Sequence, residues 1–172
     1  MSGIDFNIML IGFMGTGKST IADKLKEKLQ VEQIEMDVLI AKEAGMSIPE
    51  IFETYGEDHF RDLETAMLRK FQEKKPVVVS CGGGVVLREE NIEIMKGQGR
   101  IVLLTASPQT IYERVKNSTD RPVLNGNMNV EYISSLMEKR RARYEAAADI
   151  TVATDKKTVE EICQEILKAV GK

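Results

Sequence analysis

The residues with the clearest chemical potential form a glycine-rich run near the start of the chain. An apolar stretch ends at Ile11 and continues into Gly12-Phe13-Met14-Gly15-Thr16-Gly17-Lys18-Ser19, which has the spacing Gly-x-x-x-x-Gly-Lys-Ser. Glycines let the backbone curl until several N–H groups point at one phosphate chain, and the positive end of a following helix adds to the attraction. In such a loop Lys18 reaches the β- and γ-phosphates, and the Ser19 hydroxyl can ligate Mg²⁺.

This loop predicts a nucleoside triphosphate site and leaves the phosphate acceptor open, because GTPases, ATPases and small-molecule kinases all share it. A plain glycine-rich turn is the alternative, and the agreement of strand, loop and helix disfavours it. The residues predicted to bind the nucleotide are Gly12, Gly15, Thr16, Gly17, Lys18, Ser19 and Thr20.

Two acidic residues, Glu35 and Asp37, come next along the chain. They close a short predicted strand, Ile34–Met36, ahead of a predicted helix over Val38–Ala44. A carboxylate here can hold Mg²⁺ through water or accept a proton from an attacking hydroxyl. The alternative is a pair of solvated acids, with Asp37 as the helix N-cap. We favour a functional role for Asp37, and for Glu35 both interpretations stay open.

A triple glycine, Gly82-Gly83-Gly84, follows the apolar run Val77–Ser80. Three glycines permit close backbone approach and place several N–H donors in a small space, whereas a plain tight turn needs only one or two. We therefore expect this loop to contact a ligand.

Arginines are the remaining candidates for binding an anion. Arg61 shares a helix face with Glu64, and this spacing alone predicts an ordinary surface salt bridge. Arg140 and Arg141 belong to a charged helix whose default interpretation is a solvated face. Arg121 lies beside a proline in the polar stretch 117–129, which we predict to be a mobile lid that carries this arginine to the transferred phosphate. Together these arginines suggest an anionic acceptor.

The elements that must position these residues alternate between short apolar runs and longer amphipathic stretches. Phe6–Ile11 is predicted as a strand and Ser19–Gln30 as the helix after it, while Val77–Ser80 and Ile101–Thr105 are further buried strands. This alternation predicts an α/β fold with a parallel sheet covered on both faces. Ligands bind at the carboxyl ends of such strands. The glycine-rich loop, the two acids and the triple glycine should therefore meet at one edge.

Composition limits the partners and the compartment. The 172 residues predict one domain over 1–172, and the net charge of −3 without a basic block argues against nucleic acid or an anionic membrane as the main partner. Two cysteines are too few for a disulfide framework, and we see neither a signal peptide nor a membrane-spanning run. We expect a cytoplasmic protein.

Taken in order, these motifs resemble the shikimate kinase family over nearly the whole chain. Beyond the glycine-rich loop and the Glu35–Asp37 pair, the resemblance rests on Gly45-Met46-Ser47-Ile48-Pro49-Glu50-Ile51-Phe52, Gly56-Glu57, Phe60-Arg61-x-x-Glu64, Gly82-Gly83-Gly84-Val85-Val86, Arg121-Pro122-Val123-Leu124 and Arg140…Tyr144-Glu145…Ala148-Asp149. The first loop is generic. The order and spacing of the Phe-Arg-x-x-Glu, triple-glycine and Arg-Pro motifs are specific.

The resemblance implies transfer of the γ-phosphoryl group of ATP to the 3-hydroxyl of shikimate, in aromatic amino-acid biosynthesis, with Mg²⁺ as cofactor. It implies the nucleoside monophosphate kinase fold, a five-stranded parallel sheet flanked by helices with a mobile lid. The expected partners are shikimate and ATP, without nucleic acid or membrane, and the expected state is a monomer.

The resemblance also implies roles for single residues. Lys18, Asp37 and Arg121 form the catalytic set, with Asp37 at the ring hydroxyls and Arg121 as the lid arginine near the phosphates. Arg114 packs on adenine. The residues implied to bind shikimate are Asp37, Arg61, Gly82, Gly83, Gly84 and Arg140, the two arginines through its carboxylate. Ser19 and, through water, Glu35 are the implied metal site.

Two departures and two alternatives remain. Glu35 stands where the family usually has an aspartate associated with Mg²⁺, and Ala142-Arg143 replaces the usual Pro-Leu before Tyr144. The second departure leaves the register open between Arg140 and Arg141. The alternatives are another P-loop kinase of a small hydroxy acid, such as gluconate, and a nucleotide-binding regulatory module without activity.

Overall fold

Parallel strands form the centre of the structure, a computed structural model that describes residues 3–73, 76–117 and 126–172. Over these ranges five strands pair into one parallel sheet in the order β2-β3-β1-β4-β5. They are β1 (Asn7–Ile11), β2 (Glu32–Glu35), β3 (Val77–Ser80), β4 (Gly99–Thr105) and β5 (Ile150–Ala153). The predicted five-stranded parallel sheet flanked by helices is confirmed.

The central strand β1 shows why the apolar runs become strands. All five of its residues are buried, and Met9 pairs with Val79 on one side and Ile101 on the other. A parallel strand that is covered on both faces needs apolar side chains at successive positions. The continuous apolar runs of the sequence meet that requirement.

Helices cover both faces of the sheet in two layers. The described helices are α1 (Lys18–Leu29), α2 (Met36–Ala44), α3 (Ile48–Tyr55), α4 (Glu57–Phe71), α5 (Glu89–Gln98), α6 (Pro108–Val115), α7 (Val130–Ala147) and α8 (Val159–Ala169). Leu25 and Ile166 belong to the apolar cluster on the face covered by α1 and α8. Phe71, Met95 and Tyr144 belong to the larger cluster on the opposite face.

Helix boundaries follow local chemistry, with one shift that matters for the site. Ser47 and Glu50 form both hydrogen bonds of a capping box at the start of α3, as their spacing predicts. The helix predicted over Val38–Ala44 begins earlier, at Met36, because Met36 and Ile40 share its buried face. Asp37 therefore lies in the first turn of α2, and the residue at the N-cap is Glu35.

The strand order determines where ligands can bind. β1 lies between β3 and β4. The chain segments that follow β1 and its neighbour β3 run to opposite faces of the sheet, which leaves a crevice at the carboxyl ends of these strands. The glycine-rich loop after β1 and the triple glycine after β3 border this crevice. Across the described ranges, we find no helix with the length and apolar character needed to cross a membrane.

Candidate active site

The loop between β1 and α1 is shaped by its glycines. Gly17 precedes α1 with a left-handed backbone, φ 95° and ψ 19°, which strains residues with a Cβ. A Cβ on Gly12 would stand only 2.4 Å from the carbonyl oxygen of Leu104. Within the described residues, no side chain caps the start of α1. Its first N–H groups therefore remain available to a bound anion.

Lys18 folds back across this loop. Its Nζ donates to the carbonyl oxygens of Gly12, at 2.7 Å, and Phe13, at 3.1 Å. The ammonium group thus lies at the mouth of the loop, where a phosphate chain would be held. The buried Thr16 hydroxyl donates to the same Phe13 carbonyl at 2.9 Å and braces the loop from inside, whereas Thr20 is exposed.

Ser19 is connected to the edge strand β2 through Glu35. The Ser19 hydroxyl donates to Glu35 Oε2 at 2.7 Å, and the amide of Gln33 donates to Glu35 Oε1 at 2.6 Å. The part of the chain that the structure describes contains no cluster of three or more metal-ligating His, Cys, Asp or Glu side chains. A hydroxyl and one carboxylate still fit Mg²⁺, which prefers oxygen ligands and keeps waters and phosphate oxygens as its others.

Asp37 and Glu64 converge on the backbone of Gly82. Asp37 Oδ1 and Glu64 Oε2 each lie 2.8 Å from the point that a Cβ on Gly82 would occupy. Glu64 is fully buried, and no described residue forms a hydrogen bond with its Oε2. Burial raises the pKa of Glu64 to about 7, against the opposing effect of Arg61 and with a smaller upward effect of Asp37. Glycine at this position lets both carboxylates face the crevice.

Arg61 is buried, with 6% of its surface exposed. The spacing predicts a surface salt bridge with Glu64, and that prediction is wrong because both side chains are buried. The Arg61 guanidinium donates to Glu64 at 2.7 Å and to Glu57 at 3.2 Å. A Cβ on Gly84 would stand 2.5 Å from both terminal nitrogens, so the triple glycine makes room for this arginine. Burial alone would lower the pKa of Arg61, but Glu64 and Glu57 raise it overall and keep the group charged.

Arg140 and Arg141 point to different sides of α7. Arg140 is 4% exposed and lies over the ring of Phe13, with its guanidinium carbon 5.7 Å from the ring centroid. Its Nη1 also approaches Gly83, at 3.6 Å from the position of a Cβ there. Arg141 is exposed and pairs with Glu138 at 3.1 Å and Glu145 at 3.7 Å. Of the two arginines whose register the sequence leaves open, Arg140 is therefore the one that faces the crevice.

Tyr144 lies one turn beyond Arg140 and connects α7 to the triple glycine. Its hydroxyl donates to the carbonyl oxygen of Gly83. The side chain is buried, and burial raises the pKa of Tyr144 while the positive charge of Arg140 acts in the opposite direction. The phenol is therefore a neutral donor that holds the glycine loop beside Arg140.

Many of these groups line one cavity of about 510 Å³. One wall is apolar and comes from α2, α3 and α4, with Val38, Ile48, Phe52 and Phe60. The other surfaces carry charged and polar side chains from the start of α1, β2, α2, α4 and α7, beside the backbone of the triple glycine: Lys18, Ser19, Glu35, Asp37, Arg61, Glu64 and Arg140. This pairing suits a small molecule with an apolar face, hydroxyl groups and a negative charge.

A family model described as shikimate kinase matches residues 14–171, which is nearly the whole chain. The chain belongs to the shikimate kinase family. A shikimate kinase of Thermodesulfovibrio yellowstonii is 43% identical over 162 residues, covering 94% of this chain and 93% of the relative.

Solved structures agree with this family assignment. The shikimate kinase of Acinetobacter baumannii in complex with shikimate superposes with a TM-score of 0.92 at 31% identity, covering 96% of this chain and 93% of that one. A gluconokinase of Sinorhizobium meliloti reaches a TM-score of 0.63 at 21% identity, covering 97% and 93%. This second likeness shows a shared fold only.

Most residues that the sequence singled out meet around the cavity, and two need separate mention. Arg114 lies beside the glycine-rich loop, where its Nη1 donates to the carbonyl oxygen of Gly15 at 2.8 Å. Arg121 falls outside the described residues, as does most of the stretch 117–129 predicted as the lid. Their roles stay predictions.

Sequence reasoning missed three contributors to this shikimate kinase site. The sequence pattern identifies Glu64 only as a partner of Arg61 and Tyr144 only as a motif residue, and it does not single out Gln33. The spacing Arg61-x-x-Glu64 carried a signal for Glu64, because a face shared with an apolar Phe60 indicates a buried pair. No sequence pattern indicates the contacts that Tyr144 and Gln33 make across the fold.

Proposed function

We infer that the chain is an ATP-dependent shikimate kinase, which transfers the γ-phosphate of ATP to the 3-hydroxyl of shikimate. The observation that carries this conclusion is that one cavity joins Lys18 of the phosphate loop to two buried arginines, Arg61 and Arg140. A phosphate-binding loop alone serves many acceptors. Two buried guanidinium groups opposite it favour an acceptor with a carboxylate.

On the acceptor side, Arg61 and Arg140 bind the carboxylate of shikimate in this proposal. The backbone of Gly82, Gly83 and Gly84 approaches the substrate closely because it carries no side chains. Asp37 takes the ring hydroxyls, and the apolar wall of Phe52 and Phe60 packs against the carbon ring. These contacts orient the 3-hydroxyl toward the γ-phosphate, and orientation is a main source of catalysis in phosphoryl transfer.

On the nucleotide side, the loop N–H groups and Lys18 hold the β- and γ-phosphates. Ser19 and, through water, Glu35 would hold Mg²⁺. When bound, Mg²⁺ neutralises negative charge on the phosphate oxygens. Arg114 packs on adenine, and Arg121 reaches the transferred phosphate from the lid.

The reaction forms a bond from the 3-oxygen of shikimate to the γ-phosphorus and breaks the bond from that phosphorus to the β,γ-bridging oxygen. ADP leaves with the bridging oxygen. Asp37 accepts the hydroxyl proton, since its carboxylate lines the cavity beside Gly82. Lys18 stabilises the charge that spreads over the phosphate oxygens.

The cellular setting is part of the same proposal. We propose a monomer that works in the cytoplasm without nucleic acid. Both cysteines are free and buried, which suits a reducing compartment.

A coupled assay of ADP release tests the function. With ATP and Mg²⁺, shikimate should support turnover, whereas gluconate and the methyl ester of shikimate should support far less, because neither presents the same ring carboxylate to Arg61 and Arg140. Faster turnover with gluconate would identify a different hydroxy-acid kinase. Absence of turnover with every acceptor, despite ATP binding, would identify a regulatory module.

A further inference from the structure

Glu35 is held at both carboxylate oxygens by residues from two different elements. Oε2 accepts from the Ser19 hydroxyl on α1 at 2.7 Å, and Oε1 accepts from the Gln33 amide on β2 at 2.6 Å. Gln33 and Glu35 are two residues apart on the same strand, so their side chains stand on the same face. The amide of Gln33 is thus built into the strand that presents Glu35.

A glutamate at this position needs such support more than an aspartate would. Its additional methylene adds a rotatable bond, and fixing a long side chain costs conformational entropy. β2 is an edge strand whose sole neighbour in the described sheet is β3. Together with the Ser19 hydroxyl, the amide of Gln33 supplies a contact that selects one orientation of the Glu35 carboxylate.

We propose that Gln33 is a positioning residue: it fixes the Glu35 carboxylate beside Ser19 and thereby sets the Mg²⁺ affinity of the nucleotide site. This inference rests on the proposed Mg²⁺-dependent kinase activity. It extends that activity to a residue outside the lining of the cavity.

The hydrogen bond from Gln33 to one oxygen of Glu35 determines where the other oxygen points. With Oε1 occupied by the Gln33 amide, Oε2 is directed at the start of α1, where the Ser19 hydroxyl and the phosphate oxygens of a nucleotide would meet. Mg²⁺ requires near-ideal octahedral geometry, so its affinity is sensitive to small displacements of a carboxylate or of the water it holds. Groups that orient metal-binding carboxylates commonly change metal affinity about tenfold or more when removed.

The test measures nucleotide binding without turnover. The chain has no tryptophan, so the fluorescence of N-methylanthraniloyl-ADP reports binding while Mg²⁺ is titrated in the absence of shikimate. Gln33→Leu removes the donor, and Gln33→Glu keeps the shape while placing a carboxylate against Glu35. Both variants should raise the Mg²⁺ concentration for half-maximal binding by about tenfold. The KM for shikimate at saturating Mg²⁺ should stay within about twofold of wild type.

Glu35→Ala shows whether Gln33 acts through Glu35. If it does, Gln33→Leu adds no further shift in the Glu35→Ala background, because the effects of residues acting as one unit are not additive. Gln164→Leu is the matched control, since it removes an amide that donates to Glu160 at 3.1 Å on α8. Its Mg²⁺ midpoint should equal that of wild type.

Three results overturn the proposal. One is an unchanged Mg²⁺ midpoint in both Gln33 variants, provided that their thermal midpoints show folded protein. Another is that Gln33→Leu shifts the Mg²⁺ midpoint as much in the Glu35→Ala background as it does in wild type. The third is a wild-type protein that phosphorylates shikimate with no dependence on Mg²⁺. A wild-type protein that binds nucleotide with Mg²⁺ but does not phosphorylate shikimate overturns only the proposed function.

Discussion

The two halves of the cavity are constructed in different ways. The phosphate side comes mainly from one contiguous segment, residues 12–19, and offers backbone N–H groups, the ammonium group of Lys18 and the exposed hydroxyl of Ser19. The acceptor side collects charged side chains from α2, α4 and α7 around the glycine loop after β3, and buries most of them. Backbone N–H groups at the start of a helix can bind an anion without help from a charged side chain. Buried charged side chains, in contrast, must be paired with one another to be stable.

The acceptor side is the half of the cavity that is coupled to the stability of the fold. Arg61 is held by Glu64 and Glu57, and Glu64 in turn faces Asp37 across Gly82. A change on the acceptor side therefore disturbs several charges at once. Changes on the phosphate side should affect catalysis and leave the fold intact. The predictions below separate these two outcomes.

The largest effect should follow Lys18→Ala on the phosphate side. Loss of the ammonium group removes charge stabilisation at the transferred phosphate and should lower kcat by at least about a hundredfold. The thermal midpoint should change little, because Lys18 is only partly buried and bonds to loop carbonyls. Coupled ADP release and circular dichroism measure the two quantities. Lys26→Ala, an exposed lysine of the same helix, should keep full activity. Near-normal turnover of Lys18→Ala contradicts the proposed mechanism.

On the acceptor side, Glu64 should make stability depend on pH. Its pKa in the fold, about 7, is raised above the ordinary value of 4.5. The stability associated with Glu64 is therefore fully present below about pH 4.5 and is lost as the pH rises through about 7, by about 3 kcal/mol at most.

Glu64→Gln removes this titration, so its free energy of unfolding should fall less between pH 5 and pH 8 than that of wild type. Urea unfolding at several pH values measures the difference. Glu57→Gln is the matched control, since it removes the half-exposed carboxylate on the same arginine. Parallel profiles for wild type and Glu64→Gln would show that the buried carboxylate does not titrate in this range.

The adjacent arginines of α7 offer an internal comparison on the acceptor side. Arg140→Ala removes a charge-assisted contact from the cavity and should weaken shikimate binding by about 2 kcal/mol, or roughly thirtyfold in KM, with the KM for ATP nearly unchanged. Arg141→Ala removes an exposed arginine of the same helix and should leave both values near wild type. Steady-state kinetics with each substrate varied decides the point. The reverse pattern would show that Arg141, and not Arg140, binds the carboxylate of shikimate.

The smallest effect should come from Tyr144→Phe, which removes only the hydroxyl that donates to Gly83. Loss of one buried hydrogen bond should weaken shikimate binding by about 1 kcal/mol, or roughly fivefold in KM, with kcat preserved. Tyr132→Phe, a change to a partly buried tyrosine of the same helix, serves as the comparison. An equal change in KM for shikimate and ATP would indicate a general loss of packing instead.

The contrast between the two halves also explains how far sequence reasoning reaches. The phosphate loop could be predicted because its residues are adjacent and its helix follows directly. The five-stranded sheet followed from continuous apolar runs combined with the family resemblance. For Arg61, local spacing favours an exposed pair, and its burial depends on Gly84, which is remote in sequence and comes close only in the fold.

The start of α2 shows a second limit. The sequence places Asp37 just outside a helix, whereas the buried Met36 extends that helix by two residues. Tertiary packing determines this boundary, and local propensity does not. Gln33 illustrates the same limit at the level of a site, because its importance depends on where Glu35 and Ser19 meet.

Gly82 constrains how this protein can evolve. Any side chain there would collide with the carboxylates of both Asp37 and Glu64. A substitution at Gly82 would therefore force both carboxylate ends to move, and both belong to the acceptor side. Changes at Gly82, Asp37 and Glu64 are thus coupled, which makes this glycine an obstacle between present-day sequences and any descendant with a different acceptor.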